Sequence, residues 1–269
     1  MRVEAVSQMP SEYRDGVREL LWQLADDDLV IAFRASEWLG LAPHVEEDVA
    51  FSSIAQDEMG HAAMYYELLE QIGEGHRDEI SHLRPAASRR NTVLAEVPNG
   101  SGSYLHQPHF DWAFTVVRHY FYDVWESLRL AKLSRGSYGP LADVAEKALR
   151  EEAYHLAHQK LWMTKMARHN EESRERLRAA LVYACSLAGD LTDLGLCQDA
   201  CLKWDIFPQA ETLADCWRDQ VGQFVDGLGY AMPTIATKLN GRRGEHSEAL
   251  ADLLATLSEV YRSEPGATW

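Results

Sequence analysis

Cysteine is scarce in this chain, positive charge is in deficit, and long apolar runs and strand-like alternation are missing. Each shortage excludes something. The four cysteines, Cys185, Cys197, Cys201 and Cys216, all fall in the C-terminal half. Cys197 and Cys201 stand four apart in an apolar-periodic stretch, share a helix face, and read as buried free thiols rather than a disulfide or a soft-metal pair. No uninterrupted apolar run approaches the ~18 residues of a membrane span. Met1 to Asp15 lack the basic-then-apolar order of a secretion signal, so a cytoplasmic location is expected. With 26 Lys+Arg against 42 Asp+Glu, the formal net charge is −16. That balance disfavours nucleic acid and anionic membranes as partners.

What remains is ordinary globular composition, 46% hydrophobic and 25% charged. A chain of 269 residues buries roughly 70–75% of its unfolded surface without covalent staples. Apolar spacings of three and four predict a first helix from Ser11 to Gly40 and Pro43, and a second over Val45–Ile72. An irregular stretch follows from Gly75 to Pro108, broken by Pro85, Pro98, Gly100 and Gly102. Helical periodicity returns over Phe110–Leu133 and Leu141–Arg168, then over Glu171–Gly195, Ala210–Met232 and Ser247–Tyr261. Two helices, a long crossover and two more helices is the order of a four-helix bundle with one long connection. An all-α single domain over 1–269 is expected, with its bundle core at about 11–168 and a helical extension at about 171–269.

Two motifs carry chemistry. Asp57-Glu58-Met59-Gly60-His61 falls in the second helix and Glu151-Glu152-Ala153-Tyr154-His155 in the fourth. A Glu and a His three apart project from one helix face toward a common point. Carboxylate oxygens with imidazole nitrogen suit iron or manganese, and two facing pairs suit a dinuclear site. The acidic residue before each Glu, four before the His, is placed to orient that same imidazole by accepting its other N–H.

Composition alone predicts roughly one Glu-x-x-His by chance, so a lone match means little. Glu79 and His82 form a third match in the polar crossover, read here as coincidence. The other two gain weight from their neighbours. Glu37 precedes Glu58 by 21 residues across one turn. Asp123 and Glu126 precede Glu152 by 29 and 26 across another, and either could be the fourth carboxylate. Buried Glu–His hydrogen bonds without a metal are the plain structural alternative.

Other features are read conservatively. His158 is a substitute ligand at best, and a partly solvated side chain otherwise. Tyr65, Tyr66, Tyr120, Tyr122 and Tyr154 read as core packing. Arg89-Arg90 and Arg242-Arg243 read as solvated turns, with a phosphorylated ligand such as coenzyme A as the alternative. Asp26-Asp27-Asp28 reads as a solvated face, and Glu46-Glu47-Asp48 as a helix start.

From about Asp28 to Trp269 the chain resembles the C-subunit family of the ring-1,2-phenylacetyl-CoA epoxidases, relatives of the bacterial multicomponent monooxygenases. The resemblance rests on Glu37-Trp38, Ala42-Pro43, Glu96-Val97-Pro98-Asn99-Gly100, Arg118, Tyr120-Phe121, Asp123, Trp125 and Tyr154-His155-Leu156. It is most specific at Gly241-Arg242-Arg243-Gly244, His246-Ser247, Leu250 and Trp269. The family's paralogous A subunit is matched more weakly, through Gln56-Asp57-Glu58 and Gly60-His61.

The resemblance implies a ferritin-like bundle that pairs with the oxygenase A subunit in a homo- or hetero-oligomer. It implies that the A subunit holds a di-iron centre, takes electrons from a reductase, and uses O2 to epoxidise the ring of phenylacetyl-CoA in phenylacetate breakdown. The C subunit is implied to be a structural partner with a decayed site. Here the sequence departs from that pattern. Glu37, Glu58, His61, Asp123, Glu152 and His155 match the catalytic paralogue's ligand types, with Asp123 preferred over Glu126 on that ground. Iron, with manganese as the alternative, is therefore expected in this chain. A metal-free scaffold and a free-standing oxidase are the competing readings.

Overall fold

The computed structural model describes residues 2–264. Four long helices form the core: α1 (Ser11–Ser36), α2 (Val45–Gln71), α5 (Trp112–Leu133) and α6 (Gly139–Arg168). Short α3 (Arg77–His82) and α4 (Val93–Glu96) lie in the crossover. The extension holds α7 (Glu171–Cys185), α8 (Gln198–Lys203), α9 (Leu213–Gly227), α10 (Glu248–Leu257) and α11 (Glu259–Ser263). The fold is all-α with a ferritin-like bundle at its centre, and among the described residues no single helix is long and apolar enough to cross a membrane.

Local chemistry sets the helix ends. The Asp111 carboxylate accepts from the Ala113 and Phe114 amides at 2.9 and 3.2 Å, capping α5, and Asn170 caps α7 by accepting from Ser173 N at 2.8 Å. Glu46, Glu47 and Asp48 occupy the first turn of α2, where negative charge meets the helix dipole favourably. Pro140 stands in the first turn of α6, where its missing N–H costs nothing.

The crossover differs from expectation in one respect. It contains a small antiparallel hairpin, β1 (Gly100–Ser103) with β2 (His106–Phe110). Gly102 at φ +80° and Gln107 at φ +47° take the left-handed backbone near its tip, and no apolar alternation announces so short a pair. The extension is also more broken than periodicity predicts, with irregular chain from 228 to 240.

The bundle is two hairpins, α1 against α2 and α5 against α6, each joined by a short turn. The extension wraps one side: α7 and α9 pack on α5, and α8 packs on α1. Gly16 makes the α1–α8 approach possible, since a Cβ there would stand 2.6 Å from that of Ala200. α1 is thus enclosed on nearly every side, and Leu20, Leu24, Val30 and Ile31 are fully buried.

Candidate metal centre

Because α1 is enclosed, its three consecutive aspartates cannot face water, and all three are 0% exposed. The solvated face read from the sequence is corrected here. Successive helix positions differ by about 100°, so the three carboxylates point into three different surroundings. Asp26 accepts from the guanidinium groups of Arg84 and Arg89 at 2.9 Å each, from Tyr66 Oη at 2.7 Å and from Arg90 N at 2.9 Å. Asp27 accepts from Arg242 at 2.8 Å, Arg129 at 3.0 Å and Thr92 N at 2.8 Å. Asp28 turns to the bundle axis, where it accepts from Tyr122 Oη through one oxygen and leaves the other unpartnered.

Around that axis stand Glu58 and His61 from α2, Glu152 and His155 from α6, and Asp123 and Glu126 from α5, all buried. Asp28, Glu58 and His61 bring ligand atoms within 4.8 Å of one another, and Glu58, Glu152 and His155 do the same. Glu58 belongs to both groups. His155 Nδ1 lies 3.1 Å from Glu152 and 3.4 Å from Glu58, and His61 Nδ1 lies 3.6 Å from Glu58. The outer ring nitrogens are held crosswise. His61 Nε2 meets Glu151 at 2.6 Å, and His155 Nε2 meets Asp57 at 3.2 Å. Each motif's leading acid therefore orients the other motif's imidazole across the facing helices α2 and α6, and not its own as the four-residue spacing suggests.

The inner atoms are poorly satisfied. One oxygen of Asp28, both of Glu58, both of Asp123, one each of Glu126 and Glu152, and Nδ1 of His61 are buried without a hydrogen-bond partner. Each such atom costs about 1–3 kcal/mol. Burial, then the neighbouring Glu126 and Glu58, hold Asp28 well above the usual carboxylate range. Burial and Glu152 do the same to Asp123, and burial with Glu58 pushes Glu152 up to about 7. Burial works against charge on the imidazoles, yet their carboxylate partners overcome it and raise His61 to about 10 and His155 to about 12. The two imidazoles beside it in turn outweigh burial at Glu58 and lower its pKa. Protons on the carboxylates and histidines thus stand in for positive charge at the centre, and a bound cation would displace them. The donor set of carboxylates and imidazoles fits a pair of iron or manganese ions.

Glu37 does not join this cluster. It caps the C-terminus of α1, nine residues and ~13.5 Å of helix beyond Asp28, and accepts from Arg34 and Asn99 at 2.7 Å each. Asp28 takes the place expected for it. A signal for this exists in the spacing: Asp28 precedes Glu58 by 30 residues, as Asp123 precedes Glu152 by 29. Between the α5 candidates, Glu126 gives one oxygen to Arg129 Nε at 2.8 Å, while Asp123 has no partner at all. Glu79 lies outside the cluster on α3, and His82 stacks on Tyr261. His158 also stays outside, bonded to Glu47 at 2.7 Å.

The whole sequence, residues 1–269, matches the family model described as phenylacetic acid catabolic protein. The chain belongs to this family. It is similar to the C subunit of the 1,2-phenylacetyl-CoA epoxidase of Escherichia coli, 27% identical over 249 residues that cover 92% of this chain and 96% of the relative. It is also similar to the A subunit of the Escherichia coli enzyme, 22% identical over 179 residues, 66% of this chain and 54% of that relative.

Several residues that carry the family resemblance prove to be internal struts. Arg89 and Arg242 are 0% and 1% exposed and bind Asp26 and Asp27, so neither is a solvated turn or a surface contact for a phosphorylated ligand. Gly241 lies so close to the Asn91 carbonyl that a Cβ would collide with it. His246 joins Glu96 at 2.7 Å and the Arg89 carbonyl at 3.1 Å, while Asn99 ties Arg118, Thr115 and Glu37 together. Trp269 lies outside the described residues. Of the tyrosines, Tyr66 and Tyr122 exceed a packing role by donating to Asp26 and Asp28. Tyr154 is exposed.

Proposed function

We propose that this family member is one component of a phenylacetyl-CoA epoxidase complex that pairs with an oxygenase A subunit, fed by a reductase, and keeps a dinuclear metal site of its own. The observation that carries the reading is the set of buried carboxylate and imidazole atoms aimed at one another without partners. Asp28 and His61 would hold one metal, His155 and Asp123 the other, with Glu58 and Glu152 between them. Glu126 is held by Arg129 and tunes the charge beside them. A di-iron pair bound there supplies O2 binding and reduction. The protein's own residues then exclude water, through the apolar helix faces, and fix both imidazoles by the crossed Asp57 and Glu151 contacts.

A partner is supported by the outer seam of α2 and α6. Val45, Val49 and Met59 on α2, with Tyr154 and Leu161 on α6, are exposed apolar side chains, and Asp57 and Glu151 are about one-third exposed beside them (34% and 36%). A metal-free scaffold is the second reading, favoured by one specific observation. The Arg129 guanidinium is buried within reach of Glu126 and Asp27 and neutralises part of the cluster from inside. Reconstitution separates the two. A complex rebuilt from this chain with the A subunit epoxidises phenylacetyl-CoA, and Glu58→Ala/Glu152→Ala in this chain lowers the rate if its metals take part. Full activity with that variant would favour the scaffold.

A further inference from the structure

One turn from the carboxylate cluster, toward the end of the bundle where α2 begins, lies a second set of buried polar groups that the proposed site does not use. His119 on α5 and Gln159 on α6 are both 0% exposed. Neither ring nitrogen of His119 has a partner, and neither do the amide nitrogen and oxygen of Gln159. His158, next to Gln159, offers a third buried atom, since its Nδ1 is unpartnered. Phe51 of α2 packs against both histidines, its ring 5.1 Å from His119 and 5.7 Å from His158. Gln159 follows His155 by one helical turn, and His119 precedes Asp123 by one turn, so the layer abuts the cluster.

The outer end of the layer reaches the surface. His158 Nε2 meets Glu47 at 2.7 Å, and the Trp162 indole donates to the same carboxylate oxygen at 2.6 Å. The Glu47 side chain retains 13% exposure. Glu47 and His158 thus join the surface to a layer whose inner polar atoms, on His158, Gln159 and His119, lack protein partners.

We infer that His119, His158 and Gln159 line a buried water site that connects the carboxylate cluster to solvent through Glu47. Buried atoms without partners in a native fold are ordinarily satisfied by ordered water. The groups present select a neutral occupant. Gln159 offers a donor and an acceptor and carries no charge, and His119 does the same as a neutral imidazole. Burial, and then the adjacent Arg118, keep His119 in that neutral form.

Such a connection moves protons by hydrogen-bond exchange. A proton enters at Glu47, one is released at the cluster carboxylates, and only O–H and N–H bonds are made and broken. The proton-delivery role rests on the proposed O2-reducing function, whereas the water site stands without it.

The test has two arms on the full-length chain. A high-resolution crystal structure is expected to show at least one ordered water bonded to both His119 and Gln159, lost in Gln159→Met and in His119→Phe. Direct protein partners for both side chains, with no water between them, would overturn the site. In the second arm the chain is loaded with Fe(II) and mixed with O2, and proton uptake is followed with an indicator dye. Glu47→Gln keeps the hydrogen-bond acceptor but not the acid, and it should slow uptake about tenfold with iron content unchanged, less than the ~100-fold or more of a general acid lost outright. Unchanged uptake would overturn the relay. A chain that takes up no iron would instead count against the proposed function, and the crystallographic arm would still decide the water site.

Discussion

Two acidic regions meet on α1, and they are built on opposite principles. Asp26 and Asp27 are buried among arginines and backbone amides, and every one of their carboxylate oxygens is spoken for. Asp28, the next residue, joins Glu58 and His61 in the cluster that also holds Asp123 and Glu152, and most oxygens of these four carboxyl groups are without partners. Residue type and burial are the same on both sides. The difference is that the fold carries its own permanent cations to the first region, on Arg84, Arg89, Arg129 and Arg242, and supplies the second with Arg129 alone, leaving protons on His61, His155 and the carboxylates to balance the rest. A buried carboxylate group that the protein leaves short of cations is a place for cations from solution.

Breaking the self-neutralised region should have the largest effect. Arg89→Met or Arg242→Met strands a buried aspartate, and either should cost about 3–5 kcal/mol of stability in chemical denaturation. The open region should behave oppositely. Asp123→Asn replaces a buried carboxyl that is held protonated in the metal-free protein with a neutral amide of the same shape, so the metal-free variant should be no less stable than wild type, while its iron content falls. A loss of stability comparable to that of Arg89→Met would erase the distinction between the two regions. A smaller effect is expected one layer out, where Asp57→Asn and Glu151→Gln should each weaken metal affinity about 10–100-fold without abolishing it, as read by competition with a chelator. The smallest effect belongs to Glu37→Gln, which should cost about 1 kcal/mol through its contacts with Arg34 and Asn99 and leave metal content unchanged. Asp28→Asn, by contrast, should lower it.

The bundle and its two Glu-x-x-His helices are legible in the sequence because periodicity and i,i+3 spacing are local properties. Glu58, His61, Glu152 and His155 converge as their spacing predicts. Enclosure is not local. Whether Asp26-Asp27-Asp28 meets water depends on α8, the crossover and the Gly241–Gly244 turn closing over α1 from distant parts of the chain. For the same reason Arg89 and Arg242 read as solvated although they are core residues. Glu37 stands out over Asp28 in the sequence because it lies 21 residues before Glu58 across one turn and matches the family's ligand type, yet the helix ends there and its side chain turns to Arg34 and Asn99. The crossed pairing of Asp57 with His155 and Glu151 with His61 needs the facing geometry of α2 and α6, which no single helix encodes.

The central claim is that the second region is short of cations. Anaerobic titration of the purified full-length chain with Fe(II), read as bound iron per chain, tests it most directly when run beside Glu58→Ala/Glu152→Ala. Two irons per wild-type chain and none in the variant are the predicted result. No bound iron in either protein would contradict the account and leave the cluster a relic neutralised by its own protons and Arg129.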